Sequence, residues 1–505
     1  MLLCMVGVGM LSSVERLLAE KGVEAGVEAV VYFPFRRPEY VVLLSRLRQG
    51  VKVLREPGLN VYLVDKSDFV DDVYNSSYAE VFAHRLLLPH TVVKGEELMQ
   101  TLEKTYRRET VRQLLKDLVA AHKYAAVNLV AEPRYFLLEK VRRIVEAFPL
   151  LRSDFSNILL DERGFEEAAS ELVSEGLLNR VDGGYSPTLE AVKRFEKLSV
   201  LSGLEPLRHI NLIKLSKLFS LLVFEATTNL SSQSPPLPDP EQHIHLRTSR
   251  GLQPLSKQLD IMEFVHEYFG KEGHVKRVGG LFNSTYVIEV GSEKLFAKRY
   301  MSWTDVKWVA ARIWTAWIKN FSINPSTRLA KEIYFLDFLR GHGFHTPEII
   351  HVNWRDKILY TTYVEGETLL DAWLSKKPDR AVFADKVGQV LASVHRVGGR
   401  LGDCKPESFI KTSDGKIFIT DVEQASFDGD PAWDLMELIF YPGHYLEADE
   451  AASLAEHVVK GYATVGDTGV IARCLKTSYV RTMSLWTPPW VVMEISDRVK
   501  RFLKA

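Results

Sequence analysis

The sequence predicts a multidomain chain of α/β and α+β class, and three observations carry that prediction. Strand-forming runs at Val27–Phe33, 51–54 and Leu59–Asp65 precede a long helical stretch over 95–124, the order of an α/β domain. Amphipathic patterns over 136–147 and 164–175 then lead into a β-hairpin over 177–188. The second half alternates short strands and helices around Lys298, Glu332, Asp403 and Asp421, in an order that suits an α+β domain of two lobes.

Composition sets the scale. With 505 residues, 46% hydrophobic and 26% charged, the chain is expected to be soluble and globular, with room for two to four domains. The expected boundaries are 1–132, 133–230, a linker over 231–260, and 261–505. The formal net charge of -1 means that nucleic-acid binding has to come from local patches. Cys4, Cys404 and Cys474 lie far apart without metal-ligand spacing, which fits a reducing cytoplasm, and Cys404 reads as a small packing residue. The apolar start over 1–11 is too short to span a bilayer, so no membrane is expected as a partner. The run 210–224 carries Lys214 and Lys217 and reads as an amphipathic or core helix.

The strand order of the first domain faintly resembles a nucleotidyltransferase fold. Its Gly-Ser and paired-Asp signatures are not visible, and Asp65, Asp68, Asp71 and Asp72 are expected in a loop past the strand. The expectation is a catalytically silent domain that positions substrate. In the next segment Ser153-Asp154 can cap a helix between the two amphipathic ones, and three helices with a hairpin resemble a winged helix. Arg142, Arg143, Arg152, Arg163 and Arg180 are candidate phosphate contacts, with a purely protein-binding winged helix as the equal alternative. Pro235-Pro236-Leu237-Pro238 marks the linker, and there are no internal repeats.

The chemistry is concentrated in the last domain. Leu401-Gly402-Asp403-Cys404-Lys405-Pro406-Glu407-Ser408, followed by Ile417-Phe418-Ile419-Thr420-Asp421, lays out two carboxylates on either side of a hairpin turn, Ser413-Asp414-Gly415-Lys416. Asp403 is the candidate base for an attacking hydroxyl. Asp421 is the candidate ligand for a magnesium ion bridging ATP phosphates, and Lys405 can neutralise charge on the transferred group. Ser408 stands where an Asn would hold a second metal, and its shorter side chain implies a weaker or water-mediated contact. Upstream, 278–290 reads as strand, small-residue turn and strand, a phosphate-covering loop in which Gly279, Gly280, Asn283 and Ser284 approach ATP. Lys298, on the next strand, can grip the α and β phosphates, and Glu332, on a helix, can fix its amine. The backbone at Tyr363 and Val364, past a buried strand, is expected to hydrogen-bond the adenine. Singly, each feature has a plain surface or turn explanation; their order over one domain length is what overturns it.

From about Phe264 to the C-terminus the chain resembles an atypical protein-kinase-like domain, closest to the RIO and related archaeal lineages. Asp421-Val422-Glu423 replaces the usual Asp-Phe-Gly, Leu401-Gly402 replaces His-Arg, and no Ala-Pro-Glu follows. Gly429-Asp430-Pro431-Ala432-Trp433-Asp434 resembles the element whose last Asp braces the catalytic loop. Only Val422 to Trp433 separate Asp421 from Asp434, too few to build the usual peptide groove. Between Lys298 and Glu332 lies an aromatic, mostly basic insertion, 300–321, with Trp303, Trp308, Trp314 and Trp317 among Lys307, Arg312 and Lys319. With the catalytic elements, it resembles the archaeal RNA kinase family that phosphorylates a ribose 2′-hydroxyl of tRNA. That resemblance implies ATP and Mg2+ as cofactors and RNA as partner. A RIO-like Ser/Thr protein kinase and a pseudokinase scaffold, the latter motivated by Ser408 and Glu423, are the alternatives.

Overall fold

Four apolar runs in the first half build one mixed sheet. The structure, a computed structural model, describes residues 14, 16–21, 26–34, 38–47, 51–56, 59–78, 80–147, 155, 162–199, 237–270, 273–278, 284–301, 321–484 and 486–504. The chain divides into two units, 1–121 with 129–245, and 122–128 with 246–505.

In the first unit β1 (Val27–Phe33), β2 (Glu39–Leu44), β3 (Val51–Glu56), β4 (Leu59–Asp65) and β5 (Thr91–Lys94) lie in the order β3-β4-β2-β1-β5. Only β2 and β4 run parallel. β2 was not anticipated. Tyr40 to Leu44 are all buried, so this central strand is a continuous apolar run without the alternation that marks a half-exposed strand. The expected loop after β4 is instead a helix, α1 (Lys66–Asn75), and the acids placed in that loop need correction. Asp65 closes β4 and caps α1 by accepting from Ser67 N at 2.8 Å, while Asp68, Asp71 and Asp72 lie within the helix.

Asp72 is fully buried. Its Oδ1 accepts from Tyr78 N (2.8 Å) and Glu80 N (3.0 Å), and its Oδ2 from Phe82 N (3.0 Å) and Ala83 N (3.1 Å). Burial outweighs those donors and raises its pKa to about 6. This one carboxylate folds the turn after α1 around itself.

A single long helix, α2 (Glu96–His122), follows, then β6 (Leu129–Ala131), α3 (Pro133–Ala147), α4 (Arg163–Ser174), the hairpin β7 (Leu178–Val181) and β8 (Gly184–Pro187), and α5 (Leu189–Ser199). β8 pairs with both β6 and β7. The Ser153-Asp154 cap, Arg152 and the run 210–224 lie outside the described residues. Three of the candidate phosphate contacts are already engaged: Arg142 and Arg143 each meet Glu139 at 2.8 Å, and Arg180 meets Glu166 at 3.2 Å.

Part of the expected linker is ordered structure. β9 (Ile244–Thr248) and β10 (Gly251–Pro254) occupy it, with Ile244 and Leu246 buried on alternate positions, a period-2 signal that the preceding prolines overshadowed. After α6 (Ile261–Phe269), capped reciprocally by Asp260 and Glu263, come β11 (His274–Val278), β12 (Ser284–Val290), β13 (Glu293–Arg299), α7 (Pro325–Gly341), β14 (Ile349–Asn353) and β15 (Ile358–Thr362). The strands form an antiparallel sheet in the order β11-β12-β13-β15-β14. Phe264 of α6 stacks on Tyr360 of β15 at 4.2 Å and on His351 of β14, closing the core on that face.

The remainder is mostly helical: β16 (Glu367–Thr368), α8 (Leu369–Leu374), α9 (Arg380–Arg396), β17 (Phe409–Lys411), β18 (Ile417–Ile419), α10 (Ala432–Phe440), α11 (Ala448–Ala463), α12 (Thr468–Cys474), α13 (Thr477–Met483) and α14 (Pro489–Lys504). α9 and α11 approach so closely that a Cβ at Gly388 would lie 2.0 Å from Val458 O, and one at Gly461 1.8 Å from Asp385 O. No described helix is long and apolar enough to cross a membrane.

Candidate active site

The site begins at the strand pair β17–β18. The turn joining them falls where Asp414-Gly415 was expected, with Gly415 at φ 79°. Asp421, two residues past β18, is itself left-handed at φ 56°, a conformation that Asp tolerates better than most side chains. Its side chain stays 45% exposed while its Oδ1 reaches Lys298 Nζ at 2.5 Å.

Lys298 stands on β13, paired with β12 on one side and β15 on the other. Its amine also meets Glu332 of α7 at 2.8 Å and Glu423 at 3.1 Å. The Tyr300 hydroxyl donates to the same Glu332 carboxylate. Burial opposes charge on this lysine, but Asp421, Glu332 and Glu423 outweigh it and hold the ammonium well above the ordinary lysine range. Burial raises the Glu332 carboxyl, against the pull of Lys298. Behind them Arg328, fully buried, meets Glu423 at 3.4 Å and donates to Met301 O at 3.2 Å.

The segment carrying Asp403 is moored to α10. Asp434 accepts Leu401 N at 2.7 Å and Gly402 N at 2.8 Å, and Trp433 Nε1 donates to Gly402 O at 3.1 Å. One turn further along α10, Glu437 accepts Cys404 N at 2.8 Å and hydrogen-bonds Asp403 itself. Burial, then the Asp403 charge, pushes the Glu437 carboxyl well above the carboxylate range, so Glu437 is the partner that keeps its proton. Lys405 Nζ lies 2.7 Å from Asp403 Oδ1. His395 of α9 completes the mooring, with Nε2 at 3.1 Å from Asp434 and Nδ1 at 2.8 Å from the Tyr462 hydroxyl.

The other expected residues are placed less completely. Gly279, Gly280 and Asn283 lie outside the described residues, as does most of the insertion, 302–320. The strands flanking that glycine turn pair antiparallel, Val278 opposite Thr285. Ser284 donates to Met301 Sδ at 3.1 Å, and Tyr363 N donates to Lys294 O at 3.4 Å, with Val364 half-buried after it. Ser408 is buried; its backbone oxygen accepts Thr420 N at 2.9 Å, which ties it to the strand leading to Asp421.

Sequence reasoning missed Tyr300, Arg328, His395 and Glu437 and gave Glu423 no contact. A signal existed for Glu437: it is three residues from Asp434 on one helix, hence on the same face. For Glu423 the departure from Asp-Phe-Gly was visible, but its burial against Lys298 and Arg328 was not.

Glu332, Asp421 and Glu423 bring carboxylate oxygens within 4.8 Å of one another. Hard oxygen donors of this kind suit magnesium. Because Lys298 and Arg328 already engage Glu332 and Glu423, half-exposed Asp421 is the member of the trio best placed to meet an ion.

Residues 274–460 match the phosphotransferase enzyme family (APH). No curated protein matches the chain. Similar solved structures include a microcompartment-associated aminopropanol kinase, at 12% identity over 46% of this chain and 93% of that one with a TM-score of 0.28. Choline kinase LicA from Streptococcus pneumoniae is 15% identical over 48% of this chain and 98% of its own, with a TM-score of 0.26. Both scores are low, and the assignment stands on the family match: the second unit has a kinase-like fold, and the match supports phosphotransfer from ATP.

Proposed function

We propose that the protein is an ATP- and magnesium-dependent RNA kinase that transfers the γ-phosphate to a ribose 2′-hydroxyl, with tRNA as its substrate. The observation that carries the phosphotransfer half is the convergence of Asp421 and Glu332 on Lys298 Nζ, at 2.5 and 2.8 Å. Asp403 accepts the proton of the attacking hydroxyl, and Lys405 offsets negative charge on the transferred group. Lys298 holds the α and β phosphates, and Glu332 fixes its amine. Asp421, with Ser408, would hold magnesium, which supplies charge neutralisation at the phosphates when bound. Glu437 orients Asp403 and leaves the ionised carboxylate to it.

The RNA half rests on the basic aromatic insertion and on where its ends are tied. Met301, before it, is bonded by Arg328 and Ser284. After it, Ser322 exchanges two hydrogen bonds with Gln424, three residues past Asp421. The insertion therefore leaves and re-enters the fold beside the phosphoryl-transfer residues, where its cations can meet an acceptor's phosphates.

Labelled γ-phosphate from ATP, offered to total tRNA and to a protein mixture, tests this. The expected outcome is label in RNA, released on digestion as a 2′-phosphorylated nucleotide. Label in protein alone makes the enzyme a Ser/Thr protein kinase, and ATP binding without transfer makes it a scaffold. Lys307, Arg312 and Lys319 changed together to Ala should weaken RNA binding and flatten its salt dependence, by about 0.7 in the log–log slope per lost phosphate contact.

A further inference from the structure

Beside the catalytic segment, the second unit exposes a run of aromatic rings that the phosphotransfer chemistry does not use. Lys405 Nζ lies over the Tyr441 ring at 5.3 Å. Tyr441 meets Tyr445, ring to ring at 5.9 Å, and Tyr445 meets His444 at 4.7 Å. His444 Nδ1 donates to Trp486 O at 2.9 Å, and Trp490 opens α14 four residues on. The turn is pinned there, since a Cβ on Gly443 would lie 2.6 Å from Thr487 Cγ2 and 2.7 Å from Val491 Cγ1. Tyr445, Trp486 and Trp490 are 46%, 37% and 67% exposed, a costly way to leave three large rings unless something covers them.

Charge identifies the occupant. Between Asp467 and Glu494 the sequence has no acidic residue but has Arg473, Lys476 and Arg481. Nearby on α11, Asp449 and Glu450 are neutralised by Arg498 at 2.9 Å and Arg380 at 3.0 Å. An aromatic surface that receives a small cation would not carry Lys405 over its first ring. One that receives a polyanion with flat faces would.

We propose that Tyr441, Tyr445, Trp486 and Trp490 form a stacking track for unpaired bases of single-stranded RNA, leading toward Asp403, with Lys476 and Arg481 meeting the backbone phosphates. This rests on the RNA-kinase reading for its direction, but binding can be measured without ATP. The full chain is titrated against a fluorescently labelled 12-nucleotide single-stranded RNA, and against the same RNA annealed to its complement. The expected results are tighter binding of the single strand, and a loss of roughly tenfold or more in Trp486→Ala/Trp490→Ala with the salt slope unchanged, since stacking involves no counterions. Lys476→Ala/Arg481→Ala should instead lower the slope. Both ring positions are exposed, and thermal unfolding checks that the variants fold.

Equal affinity of the tryptophan variant for the single strand overturns the track. So does tryptophan quenching by choline with no response to RNA, which would make the rings a cation site. If wild type labels RNA from ATP and the tryptophan variant does so with unchanged KM, the track fails and the kinase reading stands. If ring-dependent RNA binding occurs without any transfer, the kinase reading fails and the track stands.

Discussion

Asp72 in the first unit and Asp421 in the second are acids near the ends of strands, and they are used in opposite ways. Asp72 is fully buried and satisfies four backbone N–H groups with two oxygens, so its capacity goes into shaping a turn. Asp421 sits on left-handed backbone, half exposed, with Lys298 against one oxygen. The contrast teaches that acidity by itself says little about chemistry: an acid that closes its own turn has no room for a ligand, whereas one presented at a strand end can meet an ion. It also fits a first unit that positions substrate and a second that reacts.

The sharpest way to break that contrast is to remove the base. Asp403→Asn is expected to lower turnover by roughly two to four orders of magnitude with ATP affinity nearly unchanged. Retained transfer would take Asp403 out of that role. In the first unit, Asp72→Ala leaves four buried N–H groups without their acceptor and is expected to cost roughly 3 to 5 kcal/mol in denaturant unfolding, while ATP binding persists. A loss under about 1 kcal/mol would show that Asp72 is not the turn's organiser.

A pH experiment sharpens the comparison at a buried base. Burial first, then Lys257, lowers the His351 pKa from 6.5 to about 4 in the folded chain. Between those values the unfolded chain binds a proton that the folded one does not. Stability is therefore full above about pH 6.5 and falls as pH drops toward 4, by up to about 3 kcal/mol from this group. Urea unfolding at pH 7 and 4.5 should show a smaller acid loss in His351→Gln; an equal loss in both proteins would assign the sensitivity elsewhere.

The smallest effect concerns Glu437. A protonated carboxyl and a carboxamide both donate to one neighbour and accept from another, so Glu437→Gln should keep the Asp403 and Cys404 contacts and most of the turnover. Glu437→Ala should lose about tenfold in kcat with KM for ATP unchanged. In infrared difference spectra at pH 7.5, the protonated-carboxyl band should disappear in the Gln variant. Its persistence would mean that Glu437 is ionised.

Much of this site was legible because it is written locally. The Asp-Gly turn, the apolar strand before Asp421, and Asp434 at a fixed distance behind it each declare themselves within a few residues. What stayed hidden came from packing across long separations. Glu423 and Arg328 meet 95 residues apart, and nothing in either neighbourhood announces a buried ion pair. β2 was invisible for the reverse reason, since burial on both faces erases alternation. The acids after β4 were placed in a loop because four carboxylates in eight residues look like a solvated turn. Asp65 instead starts a helix there, and Asp72 turns inward.

The close crossing of α9 and α11 has a consequence away from the phosphates. α9 ends in His395, His395 bonds Asp434, and Asp434 holds the backbone ahead of Asp403. A single methyl at Gly388 or Gly461 would wedge the crossing open and pass the displacement along that chain of contacts. Such a lesion would look catalytic in an assay while touching no reacting atom, so inactive variants of this protein need their helices inspected before their chemistry.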